Sequence, residues 1–146
     1  MPTIRKAQPK DLDQLAALMR DFSIEALSPL SLDHIVGALV PILENPGIGE
    51  IWVDEDASLL GYLVMSWGWG IESGGKEALI DEIYVATAVR GRGIASELMA
   101  AALKSARAQQ AKTVFLETER SNPRSRGLYE KFHFKVEDSI WMRLEL

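Results

Sequence analysis

Three apolar runs follow one another between residues 49 and 85 with only short turns to join them, and nothing else in the chain restricts its fold as much. Residues 49–54, carrying Ile51, Trp52 and Val53, and residues 59–67 are separated by the acidic turn Asp54-Glu55-Asp56-Ala57-Ser58. Glu72-Ser73-Gly74-Gly75-Lys76 is a second turn, leading into a run over residues 78–85. Parallel neighbours need a crossover of about a dozen residues or more, whereas antiparallel ones need only a turn. The runs are therefore expected to pair as an antiparallel meander.

The rest of the chain must cover that meander. Residues 2–6 read as a short strand. Pro9 stands where a helix can begin, with Asp11 in its first turn and Leu12, Leu15, Leu18, Met19 and Phe22 following at helical spacing. A second helix starts after Pro29, with Ser31 as N-cap and Ile35, Leu39 and Leu43 on one face, and Asn45-Pro46-Gly47 stops it. Residues 94–110 are Ala-rich, with Ile94, Leu98, Met99, Ala102, Leu103 and Ala106 on one face, and form the clearest helix. Residues 113–118 predict a short strand, 122–132 a helix beginning near Pro123, and 135–146 one or two closing strands. The expected order is β-α-α-β-β-β-α-β-α-β-β, an α+β fold whose mostly antiparallel sheet of six or seven strands is flanked by about four helices. No repeat, low-complexity tract or linker interrupts it, so residues 1–146 are expected to form one domain.

Composition removes several kinds of chemistry. With no Cys, disulfides, thiolate zinc sites and cysteine nucleophiles are excluded, and His34 and His133 lie too far apart in sequence to give a metal-ligand spacing, so no metal is expected. The net charge of −5 argues against a basic nucleic-acid face. No apolar stretch follows the first residues or approaches about 18 in length, so a cytoplasmic protein without a membrane segment is expected. The charge is unevenly spread: residues 1–75 hold 4 basic and 11 acidic side chains, net −7, and residues 76–146 hold 12 and 10, net +2. An anion is expected to prefer the second half and a cation the first.

The passage from Val85 to Ala95, Val85-Ala86-Thr87-Ala88-Val89-Arg90-Gly91-Arg92-Gly93-Ile94-Ala95, carries the most chemistry. A strand runs into a loop whose glycines let backbone approach a ligand, and the loop opens the best helix. The first turn of that helix has unpaired N–H groups and a partial positive charge, to which Arg90 and Arg92 add full ones. Such a site suits an anion, most naturally a pyrophosphate. A P-loop is ruled out by the absence of its Gly-Lys-Ser/Thr. The dinucleotide fingerprint is nearly matched by Gly91, Gly93 and then Ser96, with Glu117 after the next strand, but it follows an antiparallel meander here and is the lesser reading.

Arg90-x-x-Gly93-x-Ala95 is similar to the Arg/Gln-x-x-Gly-x-Gly/Ala signature of the GNAT N-acetyltransferase superfamily, and Ile83-Tyr84-Val85 looks like the strand that precedes it there. Downstream, Asn122-Pro123-Arg124-Ser125-Arg126-Gly127-Leu128-Tyr129-Glu130-Lys131-Phe132-His133-Phe134 resembles that family's second block, with His133 where Gly is usual. The resemblance covers nearly the whole chain. His133 is expected to take the left-handed turn that Gly would take.

The resemblance implies an acetyl-CoA-dependent N-acetyltransferase. The pyrophosphate would lie on the N–H groups of Arg90, Gly91, Arg92, Gly93, Ile94 and Ala95, the pantetheine arm along Ile83, Tyr84 and Val85, and Asn122 and Ser125 near the mouth. Tyr129 would protonate the departing sulfur, and Asp81 or Glu82 would be the base; alternation favours Glu82, which shares the face of Tyr84 while Asp81 shares that of Ile83 and Val85. With no Cys to carry the acetyl group, direct transfer is expected. Phe22, Glu25 and Asp33 fall in the region that shapes the acceptor pocket in that family, and Trp67 and Trp69 are candidate aromatic walls for a cation. The expected partner is a small, cationic amine acceptor, and a homodimer is the candidate assembly. A noncatalytic acyl-CoA-binding domain of the same fold is the alternative, with a dinucleotide-binding module behind it.

Overall fold

A computed structural model describes residues 2–146. Strand β1 (Thr3–Lys6) is followed by a single 3-10 turn over Pro9–Asp11 and then by helices α1 (Leu12–Glu25) and α2 (Leu32–Glu44). The meander comprises β2 (Gly49–Asp56), β3 (Ser58–Gly70) and β4 (Gly75–Val85), all antiparallel as the short turns require. After it come α3 (Ile94–Ala108), β5 (Thr113–Leu116) and α4 (Pro123–Lys131). The sheet order is β1-β2-β3-β4-β5, and the crossover through α3 makes β4 and β5 its parallel pair.

Each face of the sheet carries its own core. On one face Leu15, Ala16, Ile35 and Leu39 of α1 and α2 pack on Ile51, Val53, Tyr62 and Val64. On the other, α3 buries Ile94, Leu98, Met99, Ala102, Leu103 and Ala106, the stripe its periodicity predicts, against Leu63, Met65, Ala78 and Ile80. Ser31 caps α2 by accepting from the His34 N–H at 3.2 Å. Asp11 stands before α1 rather than inside it: it is 2% exposed, and Arg5 grips both its oxygens at 2.8 and 2.9 Å.

One irregularity opens a cleft in the sheet. Val64 opposes Glu82 but Met65 opposes Ile80, so Asp81 is an extra, unpaired residue in β4. A bulge of this kind bends and twists its strand. Pairing of β4 with β5 reaches only Ile80 and Leu116, and beyond the bulge the two strands part.

The end of the chain departs from expectation. Among the described residues the sheet has five strands, not six or seven, and residues 135–146 form none. Val136, Ile140, Met142 and Leu144 are 82% exposed or more. Alternation in this segment marks an apolar face, but a strand forms only against a partner edge, and these residues pair with none. His133, by contrast, adopts the left-handed conformation (φ 71°) expected of it, and the Phe134 N–H closes the turn onto the Tyr129 carbonyl at 3.1 Å.

Candidate active site

The parting of β4 and β5 opens a cleft of about 920 Å³ whose floor is the start of α3. On one wall, residues 82–85 of β4 pair with β3 on one side and lack β5 on the other. At the base, the loop turns through Thr87–Val89 and reaches Gly91 and Gly93, both at φ 82°. That left-handed backbone favours glycine, and a Cβ at either position would meet nothing within 4 Å. The glycines therefore face open space rather than packed protein. Gly93 is the N-cap of α3 and no side chain caps the helix, so its first N–H groups are left for a ligand.

Most of the residues expected to hold a cofactor meet here. Ile83, Tyr84, Val85, Arg90, Gly91, Gly93, Ile94, Ala95, Asn122, Ser125 and Tyr129 all line the cleft, whereas Arg92 does not. Asn122 also caps α4, its side-chain oxygen accepting from the Ser125 N–H at 3.2 Å. Arg90 is committed elsewhere than expected. It donates to both oxygens of Glu25, at 3.0 and 2.9 Å, and to the Val85 carbonyl at 2.9 Å.

Asp81 and Glu82 both line the cleft, in different settings. Asp81 is exposed at the bulge, while Glu82 turns toward the α1–α2 face, as alternation with Tyr84 predicts. There the buried Tyr62 hydroxyl donates to Glu82 Oε1 at 2.6 Å. Burial pushes the Glu82 carboxyl above its ordinary value, and the charge of Asp81 adds to this, against the opposing pull of the Tyr62 hydrogen bond. Tyr62 is a neighbour of Glu82 not anticipated from the sequence, where its only signal is a hydroxyl on a strand otherwise fit for core. Across the cleft, burial raises the Tyr129 phenol further above its ordinary value, which already lies well above neutral pH.

Of the residues expected on the acceptor side, Phe22 and Glu25 line the cleft, and Phe22 packs against Tyr84 with ring centres 5.6 Å apart. Asp33, Trp67 and Trp69 lie outside it. Both tryptophans belong to the opposite end of the β3–β4 ladder, opposite Ala78 and Lys76. The Trp67 ring is covered by the Lys76 ammonium 4.3 Å from its centre, and Trp69 is 76% exposed. Among the described residues no group of three or more His, Cys, Asp or Glu is arranged to hold a metal ion, and no helix is long and apolar enough to cross a membrane.

Comparison with known proteins adds to this geometry. A family model described as the acetyltransferase (GNAT) family matches residues 12–134. An integron cassette protein from the mobile metagenome of Cole Harbour Salt Marsh is 25% identical, with a TM-score of 0.88 over 98% of this chain and 90% of that one. A possible acetyltransferase from Clostridium difficile 630 is 19% identical, with a TM-score of 0.85 over 100% and 98% of the two chains. A predicted acetyltransferase from Clostridium acetobutylicum, solved with acetyl-CoA, is 20% identical, with a TM-score of 0.83 over 99% and 96%. No curated protein matches the chain significantly.

Proposed function

The chain belongs to the GNAT acetyltransferase family, and from that premise we propose that it moves an acetyl group from acetyl-CoA directly to the amine of a small, cationic acceptor. The observation that carries this reading is the opening of the sheet at Asp81, which brings an unpaired strand edge, an uncapped helix start and a desolvated carboxylate into one cleft. Acetyl-CoA supplies an acetyl group already activated as a thioester. The N–H groups at the start of α3, with Gly91 and Gly93, hold its pyrophosphate. Residues 83–85 offer the edge that β5 leaves unpaired, apart from the Val85 carbonyl taken by Arg90, to the amides of the pantetheine arm, as a sheet accepts an added strand. Asn122 and Ser125 border the same channel.

Glu82 acts as the general base. An alkylammonium has a pKa near about 10.4, so at neutral pH only on the order of one molecule in a thousand carries a free lone pair. Burial lifts both Glu82 and Asp81, which suits a carboxylate to taking that proton, and the Tyr62 hydrogen bond fixes Glu82 for it. Tyr129, protonated at neutral pH as a phenol is, gives its proton to the departing sulfur. Beyond the Glu25–Arg90 pair, the charged lining consists of Asp81, Glu82, Glu117 and Glu119 against Arg124, a balance that favours a cationic acceptor. A purely coenzyme-binding domain has no use for a carboxylate held at 2.6 Å by a buried tyrosine.

The test is a CoA and NAD titration followed by a panel of diamines, aminoglycosides, amino acids and peptide amino termini, assayed by free-thiol release from acetyl-CoA. We expect CoA to bind, NAD not to bind, and thiol release to be fastest with a small polyamine or aminoglycoside. CoA binding without thiol release for any amine returns the noncatalytic reading, and NAD binding without CoA binding defeats both.

A further inference from the structure

Two side chains expected to meet different ligands meet each other instead. Glu25 is the last residue of α1, on the acceptor side of the cleft, and Arg90 stands in the loop that leads to Gly91 and Gly93. The Arg90 Nη2 donates to both Glu25 oxygens, its Nε to the Val85 carbonyl, and its guanidinium lies 5.3 Å from the centre of the Tyr84 ring. One side chain thus ties together the end of α1, the end of β4 and the loop. The pair is half-exposed, at 37% for Arg90 and 44% for Glu25, and bridges 65 residues of sequence.

Building on the proposed function, we infer that Glu25 is a positioning residue for the coenzyme. Through Arg90 it fixes the phosphate loop, so that one ion pair sets both the acceptor wall and the N–H groups at the start of α3. Apart from this tie, the loop is held at its start by the Ala86 N–H on the Leu60 carbonyl at 2.8 Å and by Val89 against the core under α3, and past Arg90 it runs through two left-handed glycines to Ile94. A loop fixed in its binding geometry binds more tightly because less order remains to be imposed. The charge of Arg90, already matched by Glu25, is then structural rather than a phosphate contact.

The sign of one substitution decides the matter. A carboxylate near a polyanion repels it, so electrostatics alone has Glu25→Ala tightening CoA binding, whereas a loop held through Arg90 has the same change weakening it. The experiment is calorimetric titration of CoA into the full chain, as wild type, Glu25→Ala, Arg90→Gln and the double variant. We expect each single variant to bind roughly two- to fivefold more weakly, the range of a half-exposed ion pair, and the double variant to bind no worse than the weaker single one. At about 0.5 M KCl the ratio of wild-type to Glu25→Ala affinity should fall toward one, since exposed charges are screened. A loss through packing would not respond to salt in this way. Glu25→Gln, which keeps the volume and removes the charge, gives the same reading should the alanine variant unfold early. Unchanged or tighter binding by both Glu25 variants overturns the inference, as do additive losses in the double variant, which would put Arg90 on the phosphate itself. If the wild type fails to bind CoA, it is the proposed function that falls.

Discussion

Glu82 lies under two opposed influences: burial raises its carboxyl, and the hydrogen bond from Tyr62 lowers it. Removing the hydroxyl leaves burial unopposed. In Tyr62→Phe the Glu82 carboxyl therefore moves further up, and because the base must be deprotonated, the acid limb of the kcat/KM profile shifts to higher pH. At pH 7 the rate should drop by about tenfold, less than the roughly 10²–10⁴-fold that outright loss of a general base costs, while CoA affinity stays the same. A thiol-release profile superimposable on that of the wild type would separate Tyr62 from the base. Strand alternation was enough to put Glu82 on the face of Tyr84. It was not enough to find Tyr62, because that contact depends on the register across β3 and β4, where Tyr62 opposes Tyr84 and Val64 opposes Glu82. Register is a property of two strands, and neither strand's own sequence states it.

At the scale of elements, the start of α3 is the part of the site most legible in the chain. The apolar stripe of α3 and the glycines before it are local features, and both appear as expected. The bulge at Asp81 left no such mark, since no Gly or Pro announces it in the run over residues 78–85. The segment 135–146 erred in the opposite direction, with a strand-like pattern and no strand. Gly93 tests the helix start directly. In Gly93→Asp the side chain enters open space over the N–H groups of α3, bringing a negative charge to the place proposed for pyrophosphate. Asp tolerates a left-handed backbone better than most residues, so the strain should cost about 1 kcal/mol, or roughly 2–4 °C in Tm. CoA affinity should fall by about a hundredfold or more. Undiminished affinity in a folded variant would remove the phosphate site from this loop.

Across the whole molecule, the unevenly charged halves of the sequence, net −7 and +2, are joined by an ion pair in which Glu25 of the first is held by Arg90 of the second. The layer formed by α1 and α2 is also anchored at its other end. Asp11, buried just before α1, takes two hydrogen bonds from Arg5 of β1 and one from the Gln8 N–H at 2.7 Å, and Arg5 reaches on to Glu55 of β2 at 2.7 Å. The Arg5 guanidinium holds the Asp11 carboxyl below its ordinary value. Its contribution is therefore complete above the unfolded pKa, near about 4, and is lost as pH falls through the lower folded value. Asp11→Asn breaks a largely buried pair and leaves Arg5 with Glu55 alone, which should cost about 2–4 kcal/mol at pH 7, or roughly 8 °C in Tm. Thermal unfolding from pH 7 down to about pH 3 should show the wild-type and variant curves converging as the wild-type carboxyl takes up its proton. Curves that stay parallel across that range would mean that the anchor works through shape rather than charge. Because the same layer presents Phe22 to the cleft and reaches the phosphate loop through the Glu25–Arg90 pair, the variant should raise both the KM for the acceptor and the Kd for CoA. A raised KM with an unchanged Kd would mean that α1 and the phosphate loop move independently, against the Glu25–Arg90 tie.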